Sequence, residues 1–141
     1  MNKVGYIPGD LVMYNGKVCY ISYWERSGVY GCQTVGGDIT SFRFVKGNEL
    51  KPIPITMQFL KKNGWKDDGT DYDYQLNGKL YLIAEYKDKK HKIIESVEVY
   101  NNLSPDSYDV GQDDFYLKTI SNVHELQHLL FGLGLDSNMI V

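Results

Sequence analysis

The chain has 141 residues, 43% of them hydrophobic and 23% charged, with a net charge of −3. That length can bury a core without a disulfide or metal staple, and no apolar run approaches membrane-spanning length. The acidic balance argues against a general nucleic-acid binder, which carries a basic excess.

Residues 9–50 read as short strands separated by turns. Gly9-Asp10 opens a turn and Leu11, Val12 and Met13 begin a strand. Asn15-Gly16 is a strong hairpin signal, because both positions tolerate a positive φ. Lys17 to Trp24 is the return strand, Ser27-Gly28 turns, Val29 to Val35 is a third strand, and Ile39 to Val45, after Gly36-Gly37-Asp38, a fourth. Four or five short strands in about 40 residues, opened by Gly-Asp-x-Val-x-x-x-Gly, suggest a small SH3-like barrel.

Pro52-Ile53-Pro54-Ile55 holds the chain extended. Thr56 is an N-cap for a short helix over 57–62, with Gly64 as its stop and Trp65 folding back on Phe59 or Leu60. Residues 66–73 form an acidic loop. Tyr72 to Leu76, Asn77-Gly78 and Lys79 to Tyr86 make a second hairpin. Lys87-Asp88-Lys89-Lys90 turns into a strand from His91 to Tyr100, and Asn101 to Asp113 is a polar loop. Phe115 to Ile120 is a last strand, and Ser121 caps a helix from Asn122 to about Leu133, ended by Gly132 and Gly134. The expected fold class is α+β: an SH3-like β-lobe over 1–51, then an α+β lobe over 52–141. This second lobe has a small antiparallel sheet with the C-terminal helix packed on it, and the two lobes are close enough in sequence to share a core.

His124-Glu125-Leu126-Gln127-His128 matches H-E-x-x-H on a predicted helix. In zinc peptidases that spacing brings two imidazoles to one metal, with the Glu as general base. Here Val123, Leu126, Leu129, Leu130 and Leu133 form an apolar stripe, and at about 100° per residue His124 and His128 point away from it, toward solvent. The 13 residues after His128 hold no His, Cys or Glu, and His91 lies in a distant strand. The motif is therefore read as incidental, with no metal, no catalytic residue and no cofactor expected, and a zinc hydrolase is the least favoured function.

Two segments carry a family resemblance. Leu50-Lys51-Pro52-Ile53-Pro54-Ile55-Thr56 is followed by Phe59-Leu60 and Asn63-Gly64-Trp65, and the chain closes with Val123-His124-Glu125-Leu126-Gln127-His128-Leu129. Together they resemble a family of small uncharacterised proteins from phages and mobile elements of gut Bacteroidetes. The family's centre reads PIPLT, then a hydrophobic pair, then GF; its end reads VH-E/Q-LQ-H/N. The resemblance implies a phage or mobile-element origin and no particular activity. The family's Gln and Asn alternatives at the positions of Glu125 and His128 count against zinc chemistry. They imply instead a helix that packs on a sheet through Leu126, Leu129 and Leu130.

The best recognition surface in the sequence is the barrel itself, where Tyr23, Trp24 and Tyr30 accompany Arg26, Arg43 and Lys46. Aromatic faces stack on flat ligands and cations neutralise phosphate, although strand alternation turns about half of such aromatics into the core. The 12 tyrosines suit binding or simply strands. Asp67-Asp68-Gly69-Thr70-Asp71-Tyr72-Asp73 lacks the order of a calcium loop, and Lys87-Asp88-Lys89-Lys90-His91-Lys92 reads as a solvated turn. Cys19 and Cys32 fall in neighbouring strands, not opposite each other, and are expected to be reduced. The first ten residues lack the apolar core of a leader, which suggests the cytoplasm of a bacterial host cell and leaves the Asn102-Leu103-Ser104 sequon unused.

The leading expectation is a non-enzymatic binding protein of a phage or mobile element, acting against host defence. It would sequester a nucleotide signal or block a host protein. A nucleic-acid-binding barrel is the alternative. Candidate partners are a host protein or a small nucleotide, with nucleic acid less favoured, no membrane, and a homo-oligomer as an allowed form.

Overall fold

A computed structural model describes residues 5–67, 73–76, 79–102 and 114–141. The chain is α+β, with a curled five-stranded antiparallel half-barrel, a second five-stranded sheet and a C-terminal helix. Contacts divide it into two compact units, Met1–Pro54 with Asn122–Asn138, and Ile55–Ser121 with Met139–Val141.

The first unit contains β1 (Leu11–Tyr14), β2 (Lys17–Trp24), β3 (Val29–Thr34), β4 (Arg43–Lys46) and β5 (Lys51–Pro52), in the order β4-β3-β2-β1-β5. Asn15 and Gly16 both take positive φ, 54° and 77°, so the expected Asn-Gly hairpin joins β1 to β2. Alternation then directs Val12, Cys19, Ile21, Tyr30, Cys32 and Val45 to the inside, where they pack with Tyr6 and Leu50. The fourth strand starts four residues later than the sequence suggested. Asp38 accepts hydrogen bonds from the Thr40 amide and hydroxyl, and this cap winds Ile39–Ser41 into a 3-10 turn. Cys19 pairs with Thr34 and Cys32 with Ile21, so the two thiols sit diagonally across one hairpin, free and buried.

The second unit starts with α1 (Met57–Lys62), capped by Thr56, whose hydroxyl accepts from the Phe59 amide at 3.1 Å. Gly64 takes φ 87°, and the Trp65 amide bonds back to the Leu60 carbonyl at 3.0 Å, which buries the indole. The strands β6 (Lys66–Asp67), β7 (Tyr74–Leu76), β8 (Leu80–Asp88), β9 (Ile93–Asn102) and β10 (Asp114–Ile120) follow in the order β10-β9-β8-β7-β6. Its buried apolar residues include Phe59, Leu60, Trp65, Leu80, Leu82, Val97, Val99 and Ile120. The Asn77-Gly78 turn, the acidic run over 68–72, the sequon beyond Asn102 and the Ser104–Asp109 loop lie outside the described residues.

The last helix is α2 (Val123–Gly132). It was expected on the second sheet, and its contacts place it in the first unit, against β1. Its N-cap is Asn122, one residue later than expected, because Glu125 turns back to accept from the Asn122 amide at 3.0 Å in a capping box. An isolated bridge between Pro54 and Asn122 and a bond from the Val123 amide to the Ile53 carbonyl fix the helix start. Among the described residues, no helix is long and apolar enough to cross a membrane.

Candidate functional site

Two features of the first unit present side chains to a ligand. One is a cleft of about 580 Å³ lined by Tyr6, Ser27, Gly28, Val29, Tyr30, Lys46, Gly47, Asn48, Leu50 and Pro52. Its floor is apolar. Tyr6 and Tyr30 meet edge to face with ring centroids 5.7 Å apart, and the Tyr30 hydroxyl accepts from the Tyr6 amide at 3.4 Å. Burial raises the Tyr6 phenol above its ordinary range, and Tyr30 and Asp10 push it the same way, so Tyr6 stays a neutral donor. The rim is polar, with Lys46 and Asn48 exposed. Two glycines keep the wall thin. Gly28 takes φ 86° in the turn after β2, and a Cβ on Gly47 would come within 3.1 Å of the Tyr30 ring.

The other feature is an exposed cluster of rings on the outer face. Tyr23, Gly31 and Phe44 stand in one row across β2, β3 and β4. Tyr23 meets Phe44 with centroids 6.0 Å apart, and Phe42 meets Phe44 at 5.0 Å, both edge to face. Gly31 makes this packing feasible, since a Cβ there would lie 2.7 Å from Phe42 Cζ and 2.9 Å from Tyr23 Cβ. Phe44 is 66% exposed.

The six residues expected to form one recognition surface are thus distributed. Tyr30 and Lys46 line the cleft. Tyr23 belongs to the ring cluster, Trp24 is exposed at the end of β2, and Arg26 is exposed in the following turn. Arg43 donates to the Thr40 and Phe42 carbonyls, both at 2.7 Å, and lines a separate cleft of about 150 Å³ beside Cys19 and Cys32. Burial, followed by the Cys19 thiol, pushes Cys32 up to about 11, which makes it a poor nucleophile. Sequence reasoning missed Tyr6, Asn48 and Phe44. Phe44 carried a signal, because it alternates with Val45 and one of the two must face out.

The H-E-x-x-H segment holds the fold together. His124 does not face solvent as expected. It is 2% exposed, and its ring lies 5.0 Å from that of Tyr6. Glu125 closes the capping box. The buried Gln127 accepts from the Leu11 amide at 2.9 Å and donates to the Gly9 and Ser137 carbonyls at 3.0 and 3.3 Å. His128 Nε2 lies 2.8 and 2.9 Å from the two carboxylate oxygens of Asp10, which is itself buried and also accepts from the Ile7 amide. Buried polar groups need such partners, and Glu125, Gln127 and His128 have them. Leu126 and Leu130 are in the core as expected, whereas Leu129 is only half-buried. Among the described residues, no three His, Cys, Asp or Glu side chains come together as a metal-ion set.

The architecture defines an α+β chain whose half-barrel, closed by a polar-clamped helix, carries one mid-sized cleft and one exposed ring cluster. No protein-family model, curated protein or solved structure matches the chain.

Proposed function

We infer that this is a non-enzymatic binding protein whose half-barrel, read as SH3-like, takes a small anionic ligand in the cleft beside Lys46. The observation that carries this reading is the convergence of an apolar, tyrosine-bearing floor with one ammonium and the Ser27 and Asn48 side chains around a single cleft. Its volume of about 580 Å³ suits a ligand of nucleotide size. The floor would bury a flat or apolar body, Lys46 would pair with one phosphate, and the polar rim would fix orientation. Taken with the resemblance to phage and mobile-element proteins, this supports a role in the host cytoplasm as a sink for a nucleotide signal used in defence. A second form of the same reading, occlusion of a host protein, rests on the ring cluster of Tyr23, Phe42 and Phe44, in which Tyr23 and Phe44 are exposed.

Comparing the mass of the purified protein under native and denaturing conditions tests retention of a ligand and reports subunit number. Calorimetric titration with nucleoside monophosphates and cyclic mononucleotides then tests the class. Binding weakened at least tenfold by Lys46→Glu supports the reading. No binding at millimolar concentration, or binding indifferent to Lys46→Glu, overturns it.

A further inference from the structure

We propose that the outer edge of β4, with the ring cluster beside it, docks an extended peptide strand that carries an apolar residue and an acidic residue two positions apart. This deepens the protein-directed form of the reading above; it shares Lys46 with the cleft, and Phe44, which does not line the cleft, separates the two. β4 is the terminal strand of its sheet, and among the described residues it pairs only with β3. Such an edge presents unpaired backbone groups, and an added strand satisfies them. Side chains at alternate positions of the guest then meet alternate side chains of the host.

On this edge the outward pair is Phe44 and Lys46, since Val45 between them is buried. An apolar guest residue beside Phe44 would cover a ring already packed against Tyr23 and Phe42. Rigid, preassembled aromatics are the kind of anchor on which interface energy concentrates. Two positions along, on the same face, the guest meets the Lys46 ammonium, which favours Asp or Glu. Arg43 adds no free cation there, because its guanidinium already donates to the Thr40 and Phe42 carbonyls.

Charge also selects among occupants. If β4 paired antiparallel with β4 of a second copy, opposite residues would share a face, so Lys46 would meet Phe44 or another Lys46 and no carboxylate. A lysine directly opposite a lysine destabilises a pair of strands, and a guest with Asp or Glu at that position avoids it. A single-stranded nucleic acid could stack on the rings, but Tyr23 donates its hydroxyl to Glu25, which puts a carboxylate beside them, and the chain as a whole is acidic.

Selection of random ten-residue peptides by display against the full chain tests the proposal, followed by titration of the enriched peptides. The expected result is enrichment of an apolar residue spaced two positions from Asp or Glu. Phe44→Ser should weaken binding at least tenfold, and Lys46→Glu should reverse the preference from Glu to Lys in the guest. Phe44 is so exposed that its loss leaves the core intact, which circular dichroism checks. Phe44→Ser should also leave any nucleotide titration unchanged, so failure at the edge and failure at the cleft give different results. The proposal is overturned if no such spacing is enriched or if Phe44→Ser binds the peptides as the parent does. Binding of a 20-residue oligothymidine that is lost with Phe44→Ser would also overturn it, assigning the rings to nucleic acid.

Discussion

In the first unit, polar side chains fasten a helix to a sheet, whereas in the second the described helix contributes mainly apolar burial. Asp10, Gln127 and His128 tie α2 to the segment before β1, and Glu125 ties the helix start to itself. The second unit relies on Phe59, Leu60 and Trp65 together with the buried face of its strands. Its polar exception is at the margin, where Asn63 exchanges two hydrogen bonds with the Ile140 backbone. Apolar burial is large but non-directional, and a buried hydrogen-bonded pair is geometrically selective. The unit that carries the cleft is therefore also the one whose N-terminal wall, Tyr6 to Asp10, is fixed in position by specific partners.

Four measurements break or sharpen that contrast. The largest effect should be common to both units. Leu126→Ala in the first and Leu82→Ala in the second each empty a fully buried site and should cost about 3 kcal/mol in chemical denaturation. The contrast itself appears next. Asp10→Ala removes the acceptor of both His128 and the Ile7 amide and should cost about 2 kcal/mol. An Asp10/His128 double-mutant cycle should retain a coupling of about 1 kcal/mol, reduced because the imidazole is 35% exposed.

Alkaline titration should separate the units. Burial pushes Cys32 in the first unit up to about 11 and, with Tyr86 adding to it, Tyr74 in the second up to about 12. In each case the folded form resists losing the proton. The stability is therefore full below the ordinary value of the group and is lost as pH rises through the folded one. The first unit should weaken between pH 9 and 11 and the second between 10 and 12, by up to about 2 kcal/mol each. Cys32→Ala and Tyr74→Phe should each flatten only their own limb, followed by thermal denaturation across pH. The smallest effect is at the cap. Glu125→Ala should cost about 1 kcal/mol, while Glu125→Gln, which keeps the acceptor, should stay within about 0.5 kcal/mol. A catalytic Glu would instead lose activity with Glu125→Gln as fully as with Glu125→Ala.

Local chemistry was legible in the chain. Asn15-Gly16 specified its hairpin, Thr56 its helix and Gly64 its stop, because each depends on a φ preference or a hydrogen bond within four residues. The onset of β4 was misplaced by a similarly local effect, the Asp38 cap, whose side-chain bonds compete with strand pairing. The grouping of cations and aromatics was only half legible. Composition put Tyr23, Tyr30, Arg43 and Lys46 in one small half-barrel, but the pleat sent Tyr30 inward and Tyr23 outward, and two backbone carbonyls took up Arg43.

By itself, then, the sequence determined the α+β class, most element boundaries and an apolar stripe on the last helix. Only the tertiary structure decided which sheet that helix joins and what its histidines face. Asp10 and His128 are 118 positions apart, and nothing in local propensity links them. The apolar stripe of a helix states that something must be covered, not by which sheet. Here the selection falls to buried polar partners on the first unit. Asp10, the Leu11 amide and the Gly9 carbonyl match His128 and Gln127 in position and hydrogen-bonding sense, and a mismatch would leave buried polar groups without partners.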